Sequence, residues 1–325
     1  MVSDSLLEIR NLKTYFFLEK GTVKAVDGIN LKVKFGEILG LVGESGCGKS
    51  VTALSIMRLV PYPGKIVEGS IIFEGTDILR LKEEEMRRLR GKKIAMIFQD
   101  PTTALNPTLT IGDQIAEVFQ THENMSKSEA YEAAKEMLDS VGIPSSQERL
   151  KDYPHQLSGG MKQRVMIAMA LACKPKLLIA DEPTTNLDVT IQAQILELLK
   201  DLKNKFSTSI LLITHNFGLV AEMCDRVAIM YAGKIVEYAD MRNALKNPKH
   251  PYTKGLLECI PDITNHVREL PYIRGSLPDP SNMPLGCRFN PRCPYSFEEC
   301  YSTEPELRRV SLNHAVACHL YGYGK

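Results

Sequence analysis

Apolar residues in the first hundred positions of this chain are spaced as in β-strands. From Val23 to Val33 apolar and polar residues roughly alternate, which is typical of a strand with one buried face. The run from Ile38 to Val42 is apolar throughout and predicts a strand that is buried on both faces of a sheet. Two further short strands are predicted at Ile71 to Phe73 and at Ile94 to Phe98. The chain therefore starts with a β-rich region, partly antiparallel.

The spacing becomes helical between Ile111 and Cys173. Beyond it, apolar runs at 177–180, 210–213 and 227–230 predict strands, and a helical pattern at 191–202 separates the first two. Strands that alternate with helices indicate a parallel α/β sheet. We therefore predict an α/β domain over residues 1–245, with an inserted helical subdomain at about 105–173 and a predicted helix at 48–59 near its start.

The periodic spacing of apolar residues weakens after about residue 245. More than half of the chain's 18 prolines and five of its eight cysteines lie in this last part, four of them clustered between Cys287 and Cys318. Residues 246–325 are therefore predicted to form a loop-rich extension with little apolar core of its own.

Composition excludes several classes of protein. Of the 325 residues, 44% are hydrophobic and 24% are charged, as in ordinary globular proteins. A formal net charge of +1 argues against nucleic acid as a partner, since such binding depends on excess positive charge. The longest apolar run, from Val165 to Cys173, is too short to cross a bilayer. The first ten residues lack the apolar stretch of a secretory signal, so we expect a cytosolic protein.

A glycine-rich segment from Gly43 to Ser50 follows the strand predicted at Ile38 to Val42, and it matches G-x-x-x-x-G-K-[ST] without a gap. In this setting backbone N–H groups and the start of the following helix face phosphate oxygens. Lys49 is expected to reach the β- and γ-phosphates, and the Ser50 hydroxyl to ligate Mg²⁺. We also expect Cys47 to make ATP binding sensitive to thiol reagents. The nucleotide-binding residues predicted in this loop are Gly43, Ser45, Gly46, Cys47, Gly48, Lys49 and Ser50.

Two carboxylates, Asp181 and Glu182, follow the strand predicted at 177–180. A carboxylate at such a strand end can hold Mg²⁺, directly or through water, and this role is predicted for Asp181. Glu182 lies one residue further, where it could polarise a water molecule as a general base. Because a phosphate loop is present in the same chain, these roles are preferred to a plain polar strand end.

A second pair of glycines, Gly159 and Gly160, follows Ser158 at the start of an apolar helix. Ser158 can cap this helix, and the glycines expose backbone N–H groups at its positive end. Together with the carboxylates that follow it in the chain, the segment Leu157 to Arg164 closely resembles the signature motif of ATP-binding-cassette (ABC) ATPases. That resemblance implies the ABC nucleotide-binding fold, in which a mixed sheet surrounds the phosphate loop beside an antiparallel β part and a helical subdomain.

Other residues resemble the motifs of this family in the same order along the chain. Gln99 resembles the glutamine of the Q-loop, Asp188 lies in a segment like the D-loop, and His215 resembles the switch histidine. Tyr15 is a candidate to stack on adenine, as the family's A-loop does. The resemblance implies a catalytic set of Lys49, Gln99, Glu182 and His215, with Ser50, Gln99 and Asp181 around Mg²⁺.

Family resemblance also implies a head-to-tail dimer of cassettes that encloses two ATP molecules. Each ATP would lie between the phosphate loop of one chain and the signature motif of the other, so Ser158, Gly159, Gly160 and Asp188 would contact nucleotide across the dimer. Gln99 and Ser158 are 59 residues apart, which allows a compact helical subdomain but no long coiled-coil arm.

The extension has motifs of its own. His250-Pro251-Tyr252-Thr253 and the segments around Cys287 and Cys318 closely resemble the C-terminal extension of oligopeptide/dipeptide import ATPases. The resemblance implies a second, non-identical ATPase subunit, two integral membrane permeases and an extracytoplasmic peptide-binding protein, with this chain at the cytoplasmic face of the plasma membrane. Two alternatives stay open: the same machinery importing nickel or another small solute, and a soluble ABC ATPase outside transport.

Four cysteines of the extension follow the spacing Cys287-x5-Cys293-x6-Cys300-x17-Cys318. In a reducing compartment such a cluster points to metal before disulfides. Four thiolates can hold a [4Fe–4S] cluster or a tetrahedral zinc ion, and spacing alone leaves both open beside unconnected reduced thiols. We expect a [4Fe–4S] cluster with a structural role separate from the ATP site. The neighbouring arginines, among them Arg288 and Arg292, would offset the charge of the cluster or be solvated.

Overall fold

The computed structural model describes residues 5–185, 187–260 and 272–321, and these divide into two compact units. The first unit consists of the described residues within 1–33, 37–79 and 212–325, and the second of residues 34–36 and 80–211 without residue 186. Residues 261–271 and 322–325 of the predicted extension lie outside the described residues.

The strands are β1 (Ser5–Leu18), β2 (Gly21–Lys34), β3 (Ile38–Val42), β4 (Gly64–Phe73), β5 (Thr76–Asp77), β6 (Ile94–Ile97), β7 (Leu177–Asp181), β8 (Ser209–Thr214), β9 (Arg226–Tyr231), β10 (Lys234–Asp240), β11 (Arg308–Ser311) and β12 (His314–Val316). The helices are α1 (Lys49–Ile56), α2 (Glu83–Leu89), α3 (Pro101–Ala104), α4 (Ile111–Glu123), α5 (Lys127–Ser140), α6 (Ser146–Arg149), α7 (Gly159–Leu171), α8 (Val189–Phe206), α9 (Phe217–Met223), α10 (Met241–Lys246), α11 (Pro251–Glu258) and α12 (Glu298–Ser302).

Two sheets build the first unit. One has the order β2-β1-β4-β5, in which β4 is antiparallel to both β1 and β5. The other is mixed: β3 and β9 are parallel, and β10, β12 and β11 continue the order with antiparallel pairs. All five residues of β3 are buried, as its unbroken apolar run predicts. The predicted strand at Ile38 to Val42 is thus confirmed, and β3 leads directly into the glycine-rich loop.

The C-terminal extension is built into this unit. Its hairpin β11–β12 extends the mixed sheet, because β12 pairs with β10 from Ala239 opposite His314 to Glu237 opposite Val316. At this junction the buried carboxylate of Glu237 contacts Nε2 of His314 at 2.6 Å and accepts the backbone N–H groups of Lys249 and His250 at 2.8 Å each. The extension therefore shares core with the sheet that carries the loop, which its poor apolar periodicity did not predict.

Parallel strands and helices form the second unit. β6 and β7 pair in parallel, with Ile97 opposite Ala180, and β8 lies on the other side of β7 in the strand order. Thr110, Ser126, Ser158 and Asp188 each accept a backbone N–H at the start of a helix, as N-cap residues do. Helices α4, α5 and α7 pack together and occupy most of the segment with helical periodicity. The order strand, helical segment, strand confirms the α/β pattern predicted for this part.

Candidate active site

The glycine-rich loop between β3 and α1 needs glycine at two positions for lack of space. A Cβ at Gly43 would lie 2.1 Å from the carbonyl oxygen of Met230, and one at Gly48 would lie 2.2 Å from that of Ala25. Gly48 also has a φ of 111°, a left-handed conformation that other residues rarely adopt. The loop is therefore pressed against β9 and β2, with α1 beginning at Lys49.

Lys49 is buried beneath this loop. Its Nζ donates to the carbonyl oxygens of Gly43 at 2.7 Å and Glu44 at 2.9 Å. Ser50, the next residue of α1, is half-buried. The lysine charge is thus held inside the loop by two carbonyl groups, and phosphate oxygens of a bound nucleotide would compete with them for the same ammonium.

Cys47 lies inside the loop with its side chain buried. Burial raises the pKa of its thiol, and the positive charge of Lys49 only partly offsets this effect. The reactive species toward thiol reagents is the thiolate, which burial disfavours. Burial thus works against the expected sensitivity of this loop to thiol reagents, which stays a prediction.

Tyr15, the candidate for adenine stacking, is half-buried on β1 and donates its hydroxyl to Asp27 of β2 at 2.5 Å. Burial and this carboxylate raise the pKa of the tyrosine. Asp27 is also paired with the guanidinium of Arg288, from the extension, whose side chain is almost fully buried. The backbone N–H of Asp27 bonds Gly233, whose own N–H bonds the carbonyl of Cys47. Tyr15 therefore belongs to a network that includes both the phosphate loop and the extension.

Glu44, the second residue of the loop, also contacts the extension. Both of its carboxylate oxygens lie 3.0 Å from one guanidinium nitrogen of Arg292. Its backbone N–H donates to the hydroxyl of Tyr252 at 2.9 Å. The arginines beside the cysteines are thus paired with carboxylates of the loop and of β2, which corrects the expectation that they offset cluster charge or are solvated.

The second unit brings the carboxylate pair and Gln99 together. Because β6 and β7 are parallel, the residues that follow them lie at the same edge of the sheet. Nε2 of Gln99 donates to Glu182 at 3.0 Å, and the hydroxyl of Thr185 donates to the same carboxylate oxygen at 2.9 Å. Asp181 and Glu182 are both buried, and Glu182 has a φ of 48°. Such strained backbone is common where a side chain must point in a functional direction.

The start of α7 and the start of α8 form an exposed surface in the second unit. Ser158 caps α7 by accepting the N–H of Met161, and Asp188 caps α8 by accepting that of Ile191 at 2.9 Å. A Cβ on Gly160 would lie 3.0 Å from Ile191, so the two helix starts are in contact. Ser158, Gly159 and Asp188 are exposed, and so is 81% of Val189, an apolar residue that sequence analysis did not select.

His215 follows β8 in the first unit, directly after the buried Thr214. Its side chain is exposed, and Asn216 beside it caps α9 by accepting the N–H of Gly218 at 2.9 Å. The histidine is therefore placed at the carboxyl end of a buried strand, as the sequence predicts.

The four clustered cysteines of the extension are reduced, and they lie close enough to influence one another's ionisation. Burial raises the pKa of Cys287 to about 12 and that of Cys318 to about 11, and neighbouring cysteines add to both shifts. Burial likewise raises the pKa of Cys293, and Cys300 adds to it. The backbone of Phe289, Tyr295 and Leu320 partly offsets the raised pKa of Cys287, Cys293 and Cys318, respectively.

The described part of the chain has neither a grouped set of metal ligands nor a membrane-spanning helix. No group of three or more histidine, cysteine, aspartate or glutamate side chains there is arranged to hold a metal ion. None of the helices that the structure describes combines the length and the apolar character that a bilayer crossing requires.

Sequence reasoning missed the joining role of the residues that connect the extension to the loop, namely Asp27, Glu44, Tyr252, Arg288 and Arg292. Four of them were visible: Glu44 within the phosphate loop, Tyr252 in His250-Pro251-Tyr252-Thr253, and Arg288 and Arg292 beside the clustered cysteines. Nothing in the spacing indicated that they meet, because each pair is more than 200 residues apart in the chain.

Two protein families match segments of the chain. Residues 26–185 match the family described as "ABC transporter". Residues 236–300 match "Oligopeptide/dipeptide transporter, C-terminal region". The second match covers most of β10, all of α11 and three of the four clustered cysteines.

Similar curated proteins cover nearly the whole chain. The oligopeptide transport ATP-binding protein AppD of Bacillus subtilis is 54% identical over 98% of this chain and 97% of its own length. The dipeptide transport ATP-binding protein DppD of Haemophilus influenzae is 50% identical over 97% and 95%. The oligopeptide transport ATP-binding protein OppD of Escherichia coli is 50% identical over 97% and 93%.

Solved structures resemble the chain over about three quarters of its length. The dimeric post-hydrolysis state of the ATP-binding cassette MJ0796, bound to ADP and phosphate, is 28% identical and superposes with a TM-score of 0.65 over 73% of this chain and 99% of its own. CbiO1 from Clostridium perfringens, part of the ABC transporter complex cbiONQ, is 28% identical with a TM-score of 0.64 over 75% and 92%.

Proposed function

This chain belongs to the family of ABC ATPase subunits of oligopeptide and dipeptide transporters, and we propose that it hydrolyses ATP to power peptide import through partner permeases. The observation that carries this function is the full-length similarity to peptide-transport ATP-binding proteins, which extends through the extension as well as the cassette. Import of nickel through the same machinery is not favoured, since the similar proteins are named for peptides.

In the first unit, the chain's own groups suit the phosphates and base of ATP. The loop N–H groups and Lys49 would bind phosphate oxygens, and Ser50 would ligate Mg²⁺. Support comes from the steric need for glycine at Gly43 and Gly48 and from the buried Lys49. Tyr15 would contact adenine with its ring, while its hydroxyl stays bonded to Asp27.

In the second unit, Glu182 is proposed as the general base. Its carboxylate accepts two hydrogen bonds, from Gln99 and Thr185, which orient it. Asp181, buried at the end of β7, would ligate Mg²⁺ together with Gln99. His215 would contact the γ-phosphate and the attacking water. Bound Mg²⁺ would supply charge neutralisation at the phosphates.

We propose that two cassettes complete each other's sites in a head-to-tail dimer, and that the natural partner is a different polypeptide. Ser158, Gly159, Gly160 and Asp188 are the residues offered across that dimer. All but the half-buried Gly160 are exposed, and Ser158 stands at the N-terminus of a 13-residue helix, where anions bind favourably.

Two integral membrane permeases and, indirectly, an extracytoplasmic peptide-binding protein complete the proposed transporter, with this chain peripheral to the cytoplasmic face of the plasma membrane. The test is reconstitution of all subunits in liposomes. Peptide uptake and peptide-stimulated ATP hydrolysis are expected, and both should stop when Glu182→Gln is used. Uptake of nickel without uptake of peptide, or ATP hydrolysis without association with permeases, would replace this function by one of the two alternatives.

We propose in addition that Cys287, Cys293, Cys300 and Cys318 bind a [4Fe–4S] cluster. The supporting observations are four reduced thiols, of which that of Cys300 in α12 is buried and the other three are half-buried, and their mutual effect on ionisation. Such a group would supply a covalent staple to a segment poor in apolar residues.

Anaerobic purification followed by iron, sulfide and zinc analysis tests the cluster. About four irons per chain and a broad visible absorbance are expected, and Cys300→Ser should abolish both. Cys259→Ser, a cysteine outside the four, is the matched control and should keep them. Stoichiometric zinc without colour would assign a zinc site, and absence of metal would leave reduced thiols.

A further inference from the structure

Every polar group of Glu44, the second residue of the phosphate loop, is engaged. Its carbonyl oxygen accepts Nζ of Lys49 at 2.9 Å and the backbone N–H of Cys47 at 3.2 Å. Its backbone N–H donates to Tyr252, and its carboxylate faces Arg292. One residue thus connects the lysine and amides of the loop to two side chains from beyond residue 245.

Arg292 is well suited to hold this residue in place. It follows Pro291 in a short 3₁₀ turn, and only 6% of its side chain is exposed. Its Nε donates to the carbonyl of Arg274 at 2.9 Å, and its guanidinium lies 5.7 Å from the centre of the Tyr231 ring. A guanidinium already fixed by these contacts loses little freedom when it pairs with Glu44.

Tyr252 supplies the second restraint. Its side chain is fully buried and packs edge-on against Tyr231 at a centroid distance of 4.7 Å. Burial and the nearby carboxylate of Glu44 raise the pKa of its phenol, so the group is neutral and can accept the N–H of Glu44. The orientation of this N–H is thereby fixed within the loop.

We propose that Arg292, assisted by Tyr252, is a positioning residue for the phosphate loop: by holding Glu44 it keeps the loop amides and Lys49 in the arrangement that binds the phosphates of ATP. This inference rests on the proposed function and adds to it a residue of the extension that controls nucleotide affinity. When Arg292 no longer holds Glu44, each nucleotide must order the loop again. The apparent affinity for ATP then falls in proportion to the fraction of molecules whose loop is already ordered for binding.

The expected effect is on affinity and not on the chemical step, because Arg292 acts on the phosphate loop through Glu44 and is not among the residues proposed for hydrolysis. In the assembled transporter, Arg292→Gln is expected to raise the KM for ATP by about 3- to 10-fold and to leave kcat within about 2-fold, the pattern of a lost binding contribution. Arg292→Lys, which keeps the charge, should recover most of the loss. The matched control is Arg309→Gln, an exposed arginine on β11 of the same extension, which should change nothing.

Glu44→Gln leaves the contacts of Arg292 within the extension intact. It therefore tests the interaction without a substitution that could unfold the extension. It should raise the KM for ATP as Arg292→Gln does. The KM of the double variant should not exceed that of the more impaired single variant, because both changes remove the same interaction. Equilibrium binding of MgATP to the full chain should show the same factors.

An unchanged KM in Glu44→Gln, additive effects in the double variant, or a fall in kcat at constant KM would each overturn the positioning role. These outcomes are judged as ratios to the wild-type chain. A wild-type chain that fails to bind MgATP at all would instead remove the proposed function, so the two failures are distinguishable.

Discussion

At the scale of single residues, the partners of a buried group decide what it can do. Cys47 and Lys49 are two residues apart and both buried, yet burial raises the pKa of the thiol while loop carbonyls hold the charge of the lysine. Glu182 is buried as well, but two donors orient its carboxylate. The chemistry of each residue is therefore set by its partners and not by its burial alone.

Lys49→Ala should reduce the affinity for ATP by at least about 10- to 100-fold, the size of one or more hydrogen bonds to a charged group. Lys49 is the point charge among neutral backbone donors at the phosphates. Titration with MgATP measures the effect, and Lys246→Ala, an exposed lysine on α10, is the control. Wild-type affinity in the Lys49 variant would remove this loop as the phosphate site.

Glu182→Gln should retain ATP binding and slow hydrolysis by about 10² or more, the usual contribution of a general base. Gln99 and Thr185 can still hydrogen bond to the amide oxygen, so the fold of the site is expected to persist. Single-turnover hydrolysis and nucleotide binding are the measurements. Glu117→Gln, an exposed carboxylate on α4, controls for loss of charge; unchanged turnover in Glu182→Gln would place the base elsewhere.

At the scale of elements, α11 shows how the extension is joined to the first unit. His250 caps this helix by accepting the N–H of Tyr252 at 3.0 Å, and the backbone N–H of His250 itself bonds the buried Glu237 of β10. Strand β12 reaches the same carboxylate through His314. One buried glutamate thus links a strand, a helix start and a hairpin, and loss of any of its partners would leave a buried polar group unsatisfied.

Stability should fall with acid because of His250. Burial lowers the pKa of His250 to about 3, whereas an unfolded chain takes up this proton below about pH 6.5. The stability contributed by this histidine is therefore fully present above that pH and decreases as the pH falls toward 3, by up to about 1.4 kcal/mol per pH unit.

The variant His250→Asn keeps a side chain that can cap a helix but does not titrate, so its urea-unfolding free energy should depend less on pH between 6.5 and 4. Comparison of the two slopes isolates this residue, because the other titrating groups are common to both proteins. His155→Asn, an exposed histidine of the second unit, should leave the slope as in the wild type. Equal slopes for His250→Asn and wild type would contradict this account.

At the scale of the whole molecule, the extension is linked to the nucleotide site. Arg288 reaches Asp27, which holds Tyr15, and Arg292 reaches Glu44 of the loop. The extension was expected to have a structural role separate from the ATP site, but these contacts connect the two. Both arginines also lie next to cysteines of the proposed cluster. Loss of that cluster should weaken ATP binding as Arg292→Gln does.

The isolated chain should be a poor ATPase. Ser158 and Asp188 are offered on an exposed surface, and in the proposed dimer they complete a site on another cassette. Addition of the partner cassette should raise turnover at least several-fold, because each reacting phosphate then gains the donors of a helix N-terminus. Light scattering alongside the ATPase assay gives the oligomeric state. Full activity in a monomeric sample would contradict the shared site.

The sequence by itself determined the local chemistry of this protein. The strand Ile38–Val42, the phosphate loop after it and the carboxylates at the end of β7 are short-range patterns, in which neighbours in the chain are also neighbours in space. Periodicity and motif spacing therefore predicted the α/β order, the loop and the carboxylates at a strand end, whereas Gln99 was named from its resemblance to the Q-loop.

Only the tertiary structure decided how the extension relates to the loop. Sequence periodicity cannot register contacts across more than 200 residues, so Arg292 and Tyr252 could not be assigned to Glu44, nor Arg288 to Asp27. The burial of Cys47 was hidden for the same reason, because Met230 and Ala25, which enclose its loop, come from distant strands. Pairing of charges and exclusion of water are properties of the folded chain, and they emerge only when these strands meet.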